Sequence, residues 1–166
     1  MSSLSALQVL LVDDNPHMRA IASAVLQSAG IRKVREANDG AAALGILREH
    51  AIDLVIVDFN MFPLDGVEFT RLVRNSPDSA NPYLPIIMMT GHSEKTRVYE
   101  ARDAGVTEFV VKPITAKAIL DRIQAVIFKP RSFVKTDGYF GPDRRRTQLA
   151  SYTGPWRRAQ DKPHDV

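Results

Sequence analysis

Short runs of aliphatic residues alternate along the chain with longer segments in which apolar residues return every three or four positions. Five runs have the length and composition of strands, and they occupy residues 8–12, 34–37, 54–57, 86–89 and 109–111. The alternation predicts an α/β fold, a doubly wound five-stranded parallel sheet with helices on both faces and right-handed crossovers. The unbroken run at 54–57 predicts a central strand that is buried on both sides.

Sequence signals mark the ends and the buried faces of the helical segments. Asn15 and Pro16 suit the N-cap and first turn of the first helix, and Gly30 suits its end. Asn38 is expected to open the second helix, which ends near His50. The apolar stripes of the first, third and fifth helices are, in turn, Met18, Ile21, Ala22, Val25, Leu26 and Ala29; Phe69, Leu72 and Val73, before Pro77; and Ile119, Ile123, Val126 and Ile127.

The fourth helical segment, residues 94–104, has the thinnest apolar stripe. It consists of Val98, Ala101 and Ala104. So little apolar surface predicts a helix that is loosely held and available to a partner.

The composition fits one folded domain with an appendage, since 45% of the 166 residues are hydrophobic. Residues 129–166 carry nine Lys or Arg against four Asp or Glu, so the net charge of +3 divides into +5 there and −2 in residues 1–128. We therefore expect a domain over residues 1–128 and a basic, flexible tail over residues 129–166. The basic isoelectric point consequently does not indicate that the domain binds nucleic acid.

Nothing in the sequence predicts a membrane segment or a secretion signal. No apolar run approaches the roughly 20 residues of a membrane span. The early apolar stretch runs into two aspartates rather than a signal cleavage site. Because the chain also has no cysteine, we expect a soluble protein of the cytoplasm.

Carboxylates follow two of the predicted strands directly. Asp13 and Asp14 come after the first strand and Asp58 after the third. These strands are neighbours in the expected order 2-1-3-4-5, at the edge where such sheets bind ligands. Three acids so close together would raise one another's pKa unless a cation joined them. With oxygen ligands and no nearby His or Cys, the expected ion is Mg²⁺.

Two further side chains reach the same edge. Thr90 ends the fourth strand, and Lys112 follows the fifth. A carboxylate nucleophile, a metal, a hydroxyl and an ammonium together describe a phosphoryl site. Each residue alone has an ordinary explanation, such as a helix cap or a solvated charge. Their joint placement favours the phosphoryl site.

Four short motifs at the strand ends resemble those of the receiver domain of two-component response regulators, most closely the stand-alone chemotaxis type. They are LLVDDN, VIVDFNM, MMTG and FVVKP, and the resemblance spans roughly residues 7–128. It implies a flavodoxin-like sheet. It also implies that Asp58 accepts a phosphoryl group, that Asp14 binds Mg²⁺ directly and that Asp13 holds the waters of the metal. Asp58 and the backbone carbonyl of Asn60 would complete the coordination.

The resemblance also implies how the domain switches. Thr90 and Lys112 would contact the phosphoryl oxygens and complete the catalytic set with Asp58. Phe109 matches the aromatic residue that turns inward on activation, with Thr90 as its switch partner. The peptide between Lys112 and Pro113 is a candidate for the cis form.

The sequence departs from the family pattern at two places, and a third position is of interest for the lifetime of the phosphoryl group. Phe62 stands where the family usually has proline, and Pro63 comes one residue later, which predicts an altered turn beside the site. Phe109 replaces the tyrosine of the chemotaxis regulators, so a hydroxyl contact to a target is lost. His92 lies two residues after Thr90, at a position that influences how fast the acyl phosphate hydrolyses.

We therefore expect a single-domain response regulator that receives its phosphoryl group from a histidine kinase or a phosphotransfer protein. It would catalyse only its own phosphorylation and dephosphorylation, and it would bind a target protein through its fourth helix, fifth strand and fifth helix. The alternative is a Mg²⁺-dependent phosphatase or phosphotransferase that works through an aspartyl phosphate. Such enzymes usually carry a second aspartate two residues after the nucleophile, where this chain has Asn60.

The tail carries a repeat, Y-x-G-P-x-R-R, which begins at Tyr139 and again at Tyr152. The tail has no helical periodicity and is too short and polar to form a second core, so no attached DNA-binding domain is expected. The repeat is either part of a solvated tail or a docking motif for an acidic partner, a nucleic acid or an anionic lipid. A nucleic-acid binder would lose affinity steeply with added salt.

Overall fold

The computed structural model describes residues 2–91 and 96–144, and its centre is a five-stranded sheet. Its strands follow the order β2-β1-β3-β4-β5, and every neighbouring pair is parallel. This confirms the predicted fold class, and each strand begins and ends within one residue of its predicted limits. The strands are β1 (Gln8–Val12), β2 (Lys33–Ala37), β3 (Leu54–Asp58), β4 (Ile86–Thr90) and β5 (Glu108–Val111).

Five of the six described α-helices are those predicted from the sequence, and a short one precedes them. In chain order they are α1 (Ser2–Ala6), α2 (Pro16–Ser28), α3 (Gly40–Glu49), α4 (Gly66–Asn75), α5 (Val98–Ala104) and α6 (Ala116–Phe128). Asn15 caps α2 by accepting from two backbone N–H groups, as expected. The second helix, however, is capped by Asp39 and not by Asn38, because the Asp39 carboxylate accepts from the Ala42 N–H at 2.7 Å.

The apolar core has one layer on each face of the sheet. One layer joins Leu10, Val55 and Val57 to the buried sides of α3, α4 and α5, including Phe69. The other joins Leu11, Leu54 and Ile56 to α2 and α6. Strands β3 and β4 are buried along their whole length, which explains their continuous aliphatic composition.

Helix α5 has seven residues and is shorter than the predicted segment 94–104, of which residues 94 and 95 lie outside the described part of the chain. Its stripe is real, since Ala101 and Ala104 are buried and Val98 is half-buried. Tyr99 is 65% exposed on the outer side. The loose attachment of this helix stays a prediction.

Residues 129–144 differ from the expectation of a flexible tail. A two-stranded antiparallel sheet forms from β6 (Phe133–Thr136) and β7 (Tyr139–Pro142), with Asp137 and Gly138 as the connection. Phe133 and Phe140 pack edge-on against Tyr83 of the domain, with ring centroids 5.0 and 5.4 Å away. Contacts among these three aromatic rings hold the hairpin against the domain. Residues 145–166, including the second copy of the repeat, lie outside the described residues.

The structure also bears on the prediction that no segment crosses a membrane. Within residues 2–91 and 96–144, no helix combines the length and the hydropathy that a membrane span requires.

Candidate functional site

The ends of β1 and β3 bring three carboxylates together. Val12 pairs with Val57, so the residues that follow, Asp13 and Asp58, emerge side by side. One carboxylate oxygen from each of Asp13, Asp14 and Asp58 lies within 4.8 Å of the others. Asp13 and Asp58 are 1% and 3% exposed, whereas Asp14 is open to solvent. The predicted acidic cluster therefore exists at the predicted edge of the sheet.

Local hydrogen bonds fix Asp13 in this position. Its Oδ1 accepts from the backbone N–H of Asn15 at 2.9 Å, and its carbonyl accepts from the Arg19 guanidinium at 2.7 Å. Arg19 is held in turn by Glu36 of β2 at 2.9 Å. The turn from β1 into α2 is thus tied to the edge of the sheet, which limits the freedom of the carboxylates it carries.

Lys112 provides a cation directly at Asp58. Its Nζ lies 2.6 Å from Asp58 Oδ1, and its backbone N–H donates to the carbonyl of Thr90 at 2.7 Å. Apart from this ion pair, Oδ1 has no hydrogen-bond partner among the described residues. The Lys112–Pro113 peptide is cis, and so is Phe62–Pro63 in the loop that follows β3.

Burial dominates the electrostatics of the two inner acids. Loss of solvent raises the pKa of Asp58 from its usual 3.8 to about 6, although Lys112 acts in the opposite direction. The neighbouring charges of Asp13 and Asp14 add to the rise. Burial likewise raises the pKa of Asp13, against the hydrogen bond from Asn15 and the charge of Lys112. A further positive charge would therefore stabilise the ionised form of both groups.

Gly66 allows the backbone to pack tightly against the end of β3. A side chain here would place its Cβ 2.5 Å from the carbonyl oxygen of Asp58 and 2.9 Å from Met88 Cε. The backbone N–H of Gly66 donates to the carbonyl of Phe59 at 3.1 Å. The start of α4 thus packs directly on the residues that form the site.

The other predicted residues occupy the expected elements. Thr90 is buried at the end of β4, one residue beyond Met89, which pairs with Asp58. Asn60 is exposed, two residues after Asp58. Phe109 is half-buried in β5 against the core layer of α3, α4 and α5. His92 lies outside the described residues.

Sequence reasoning missed Arg97, which connects α5 to the site. Its guanidinium lies 4.6 Å above the ring of Phe59, the residue that follows Asp58. It also pairs with Glu100 at 2.7 Å and approaches Asp65, the N-cap of α4, at 3.9 Å. No local pattern signals this contact, because Arg97 and Phe59 meet only through the tertiary fold.

The side chains present fit a hard divalent cation. The clustered donors are carboxylate oxygens, which Mg²⁺ prefers, and one of them, Asp58 Oδ1, has Lys112 as its only partner among the described residues. The raised pKa values of Asp13 and Asp58 indicate a site that gains from added positive charge. The acidic pocket is therefore compatible with Mg²⁺.

Known proteins are similar to this chain in both sequence and fold. Residues 9–124 match the family model of the response regulator receiver domain. The chemotaxis protein CheY of Pseudomonas aeruginosa is 34% identical over 120 residues, which is 72% of this chain and 95% of that protein. The chemotaxis protein CheY-3 of Vibrio cholerae is 32% identical over 120 residues, 72% of this chain and 91% of that protein.

Solved structures agree with this assignment. Chemotaxis protein CheY4 of Vibrio cholerae superimposes with a TM-score of 0.65 at 34% identity, over 73% of this chain and 98% of that one. A response regulator receiver domain protein from Clostridium thermocellum gives 0.66 at 26% identity, over 74% and 95%. The predicted family and its phosphoryl-accepting role are confirmed. The chain therefore belongs to the response regulator receiver family, the two-component signalling domains that accept a phosphoryl group on an aspartate.

Proposed function

We propose that Asp58 is the phosphoryl acceptor of this receiver and that phosphorylation controls binding to a target protein. The observation that carries the proposal is the position of the Asp58 carboxylate, buried at the end of β3 between two other acids and the Lys112 ammonium. A carboxylate in this setting can act as a nucleophile, and the negative charge that a phosphoryl group adds to it can be neutralised by the adjacent ammonium.

The transfer needs the ionised form of Asp58. One carboxylate oxygen attacks the phosphorus of a phosphohistidine, the new O–P bond forms as the N–P bond breaks, and the imidazole nitrogen keeps the electron pair and takes up a proton. A bound Mg²⁺ would supply positive charge for the phosphoryl oxygens. Asp14, Asp58 and the Asn60 carbonyl would hold it directly, and Asp13 would hold its waters.

Lys112 and Thr90 would contact the transferred group. Lys112 already lies 2.6 Å from Asp58 and can turn from the carboxylate to a phosphoryl oxygen. The Thr90 hydroxyl would donate a hydrogen bond to another phosphoryl oxygen. Because β5 carries Phe109 three residues before Lys112, this movement would pull the ring inward and alter the outer surface. The same residues would serve hydrolysis of the acyl phosphate, so the domain would catalyse its own phosphorylation and dephosphorylation.

The expected output surface is formed by α5, β5 and α6. Tyr99 and Val111 expose 65% and 49% of their surface there, as a protein contact requires. The phosphoryl donor would be a histidine kinase or a histidine phosphotransfer protein. Because such donors are charged from ATP, the cytoplasm is the expected compartment. Binding of an acidic partner by residues 145–166 stays a prediction.

Labelling with a small phosphoryl donor tests the assignment. With Mg²⁺ and acetyl phosphate, the full chain should take up one phosphoryl group, located on Asp58 by mass spectrometry. Asp58→Asn should take up none, and Asp121→Asn, which changes an exposed carboxylate on α6, should behave as wild type. Labelling of Asp58→Asn equal to wild type would refute the acceptor. Sustained release of phosphate from many donor molecules per chain would instead support the phosphatase alternative.

A further inference from the structure

The C-terminal hairpin, residues 131–144, is anchored at the far end of the elements that carry the switch. Residues 103–108 join α5 to β5 and form the α5–β5 corner. At one side of the corner, Arg144 pairs with Asp103 of α5 at 2.6 Å. At the other side, Arg131 pairs with Glu108 of β5 at 3.0 Å, where both side chains are largely buried. The hairpin thus holds both elements that meet at the corner.

The two anchors belong to one connected unit. The Arg131 guanidinium donates to the carbonyl of Asp143 at 2.9 Å, and the Asp143 N–H donates to the carbonyl of Ser132 at 2.7 Å. These bonds tie the start of the hairpin to its end. If α5 moved relative to β5, at least one of the two ion pairs, or the bonds that join them, would therefore have to break.

The first copy of the Y-x-G-P-x-R-R repeat makes the contact with the corner. The Tyr139 hydroxyl donates to the carbonyl of Pro142 at 2.7 Å, and Arg144 lies 4.4 Å above the Tyr139 ring. A Cβ at Gly141 would lie 2.6 Å from the Tyr139 hydroxyl oxygen and 3.1 Å from Gly105 Cα. The Tyr, Gly, Pro and first Arg of the repeat thus each have a structural role at the corner.

Arg74 of α4 packs against the corner. Its Nε donates to the carbonyl of Gly105 at 3.0 Å, and its NH2 group lies 3.4 Å from the Thr107 hydroxyl. The same guanidinium lies 5.0 Å from the ring centroid of Phe133 in β6. The corner is therefore packed between α4 and the hairpin.

We propose that the α5–β5 corner is an intramolecular binding site for the Y-x-G-P-x-R segment 139–144, and that its occupancy opposes phosphorylation of Asp58. The proposal rests on the proposed function. In this structure the hairpin is bound to the corner while Lys112 contacts Asp58 directly at 2.6 Å. That direct contact is the geometry of the unphosphorylated carboxylate. Phosphorylation must break that contact and draw β5 with Lys112, so it works against the hairpin anchors. By linkage, release of the hairpin favours phosphorylation to the same extent.

Two glycines of the hairpin provide a matched test. Gly141→Ala introduces a methyl group against Tyr139 and Gly105, whereas Gly138→Ala introduces one at the turn, where nothing lies within 4 Å. Binding of beryllofluoride with Mg²⁺ to the full chain, measured by calorimetry, should tighten about 5- to 10-fold in Gly141→Ala, at the lower end of typical allosteric couplings. Gly138→Ala should match wild type. Equal affinities for all three proteins would refute the proposal.

A charge exchange checks the result with a second pair. Arg131→Glu should tighten beryllofluoride binding, and adding Glu108→Arg should restore the wild-type affinity. Backbone amides of residues 139–142 should also exchange hydrogen faster when beryllofluoride is bound to wild type. Unchanged exchange, or no rescue by the double variant, would contradict the coupling. If wild type bound no beryllofluoride at all, the proposed function would fail instead.

Discussion

Asp58 shows how burial and charge act against each other at a single residue. Lys112 lies 2.6 Å from its carboxylate and lowers its pKa, yet loss of solvent outweighs this and sets the pKa at about 6. At neutral pH the group is therefore mostly ionised at a cost in stability. Burial thus destabilises the ionised acids of the site, and the same destabilisation favours the binding of a cation.

Replacing Asp58 with Asn should stabilise the metal-free protein at about pH 8 by roughly 1–3 kcal/mol, because the amide has no charge to bury. The folded pKa, about 6, is above the unfolded value of 3.8. The wild-type carboxyl therefore stabilises the fold fully below 3.8 and loses this contribution as the pH rises through about 6. Urea unfolding with a chelator should show the two proteins converging as the pH falls. A gap that widens in acid would contradict the assignment, and Asp121→Asn should show little effect.

Gly66 and Gly45 offer a second comparison at the scale of one residue. Gly66→Ala should destabilise the protein by about 1–3 kcal/mol, since its methyl group would meet the Asp58 carbonyl at 2.5 Å. Gly45→Ala, inside α3, meets nothing closer than the Arg48 guanidinium at 3.9 Å and should stabilise by about 0.5–1 kcal/mol. Thermal unfolding of both variants checks the signs. A stabilised Gly66→Ala protein would mean that α4 does not pack on the site as described.

At the scale of elements, the strands were predictable because their environment is uniform. A strand that is covered on both faces needs an unbroken aliphatic run, and β3 and β4 have one. The carboxylates followed from the same reasoning, because parallel strands end at a common edge. The cap of α3 was misplaced by one residue because Asn38 and Asp39 are both good N-caps, and sequence alone does not separate them.

The hairpin and the Arg97 contact show where sequence reasoning fails. The pair Asp137–Gly138, flanked by FVKT and YFGP, is a recognised hairpin signal, but the basic composition of the segment concealed it. Its order depends on Tyr83, about 50 residues earlier in the chain. Arg97 and Phe59 likewise meet only after the sheet has formed. Contacts between distant segments leave no local pattern to read.

Arg74 carries a prediction about how α4, β5 and the hairpin are held together. It is 3% exposed, and it donates to the carbonyls of Pro82 and Gly105 at 2.9 and 3.0 Å. Arg74→Ala should cost about 2–4 kcal/mol, since hydrogen bonds from a charged donor contribute roughly 1.5–3 kcal/mol each and the carbonyls would lose their partner. Arg71→Ala, one turn earlier on α4 and exposed, is the control. Equal stabilities in chemical denaturation would show that Arg74 is not a structural link.

At the scale of the whole molecule, the site and the fold are linked because the carboxylates come together only in the folded chain. Asp13 and Asp58 are far apart in sequence, and pairing of β1 with β3 is what places them side by side. A cation that binds the cluster therefore stabilises the entire domain, by an amount set by its concentration relative to its dissociation constant. Protons compete for the same oxygens, since the pKa of Asp58 is about 6.

Adding Mg²⁺ should therefore raise the melting temperature, and by more at about pH 7.5 than at about pH 5. At a concentration 100 times the dissociation constant the stabilisation is about 2.7 kcal/mol, which corresponds to roughly 5–10 °C for a domain of this size. Asp58→Asn should lose most of this increase, while Asp121→Asn should keep it. Calorimetric scans with Mg²⁺ or with chelator make the comparison. A cation held by Asp13, Asp14 and Asp58 must compete with the proton that Asp58 takes up near pH 6. An increase in melting temperature of equal size at both pH values, or one retained by Asp58→Asn, would therefore place the ion elsewhere.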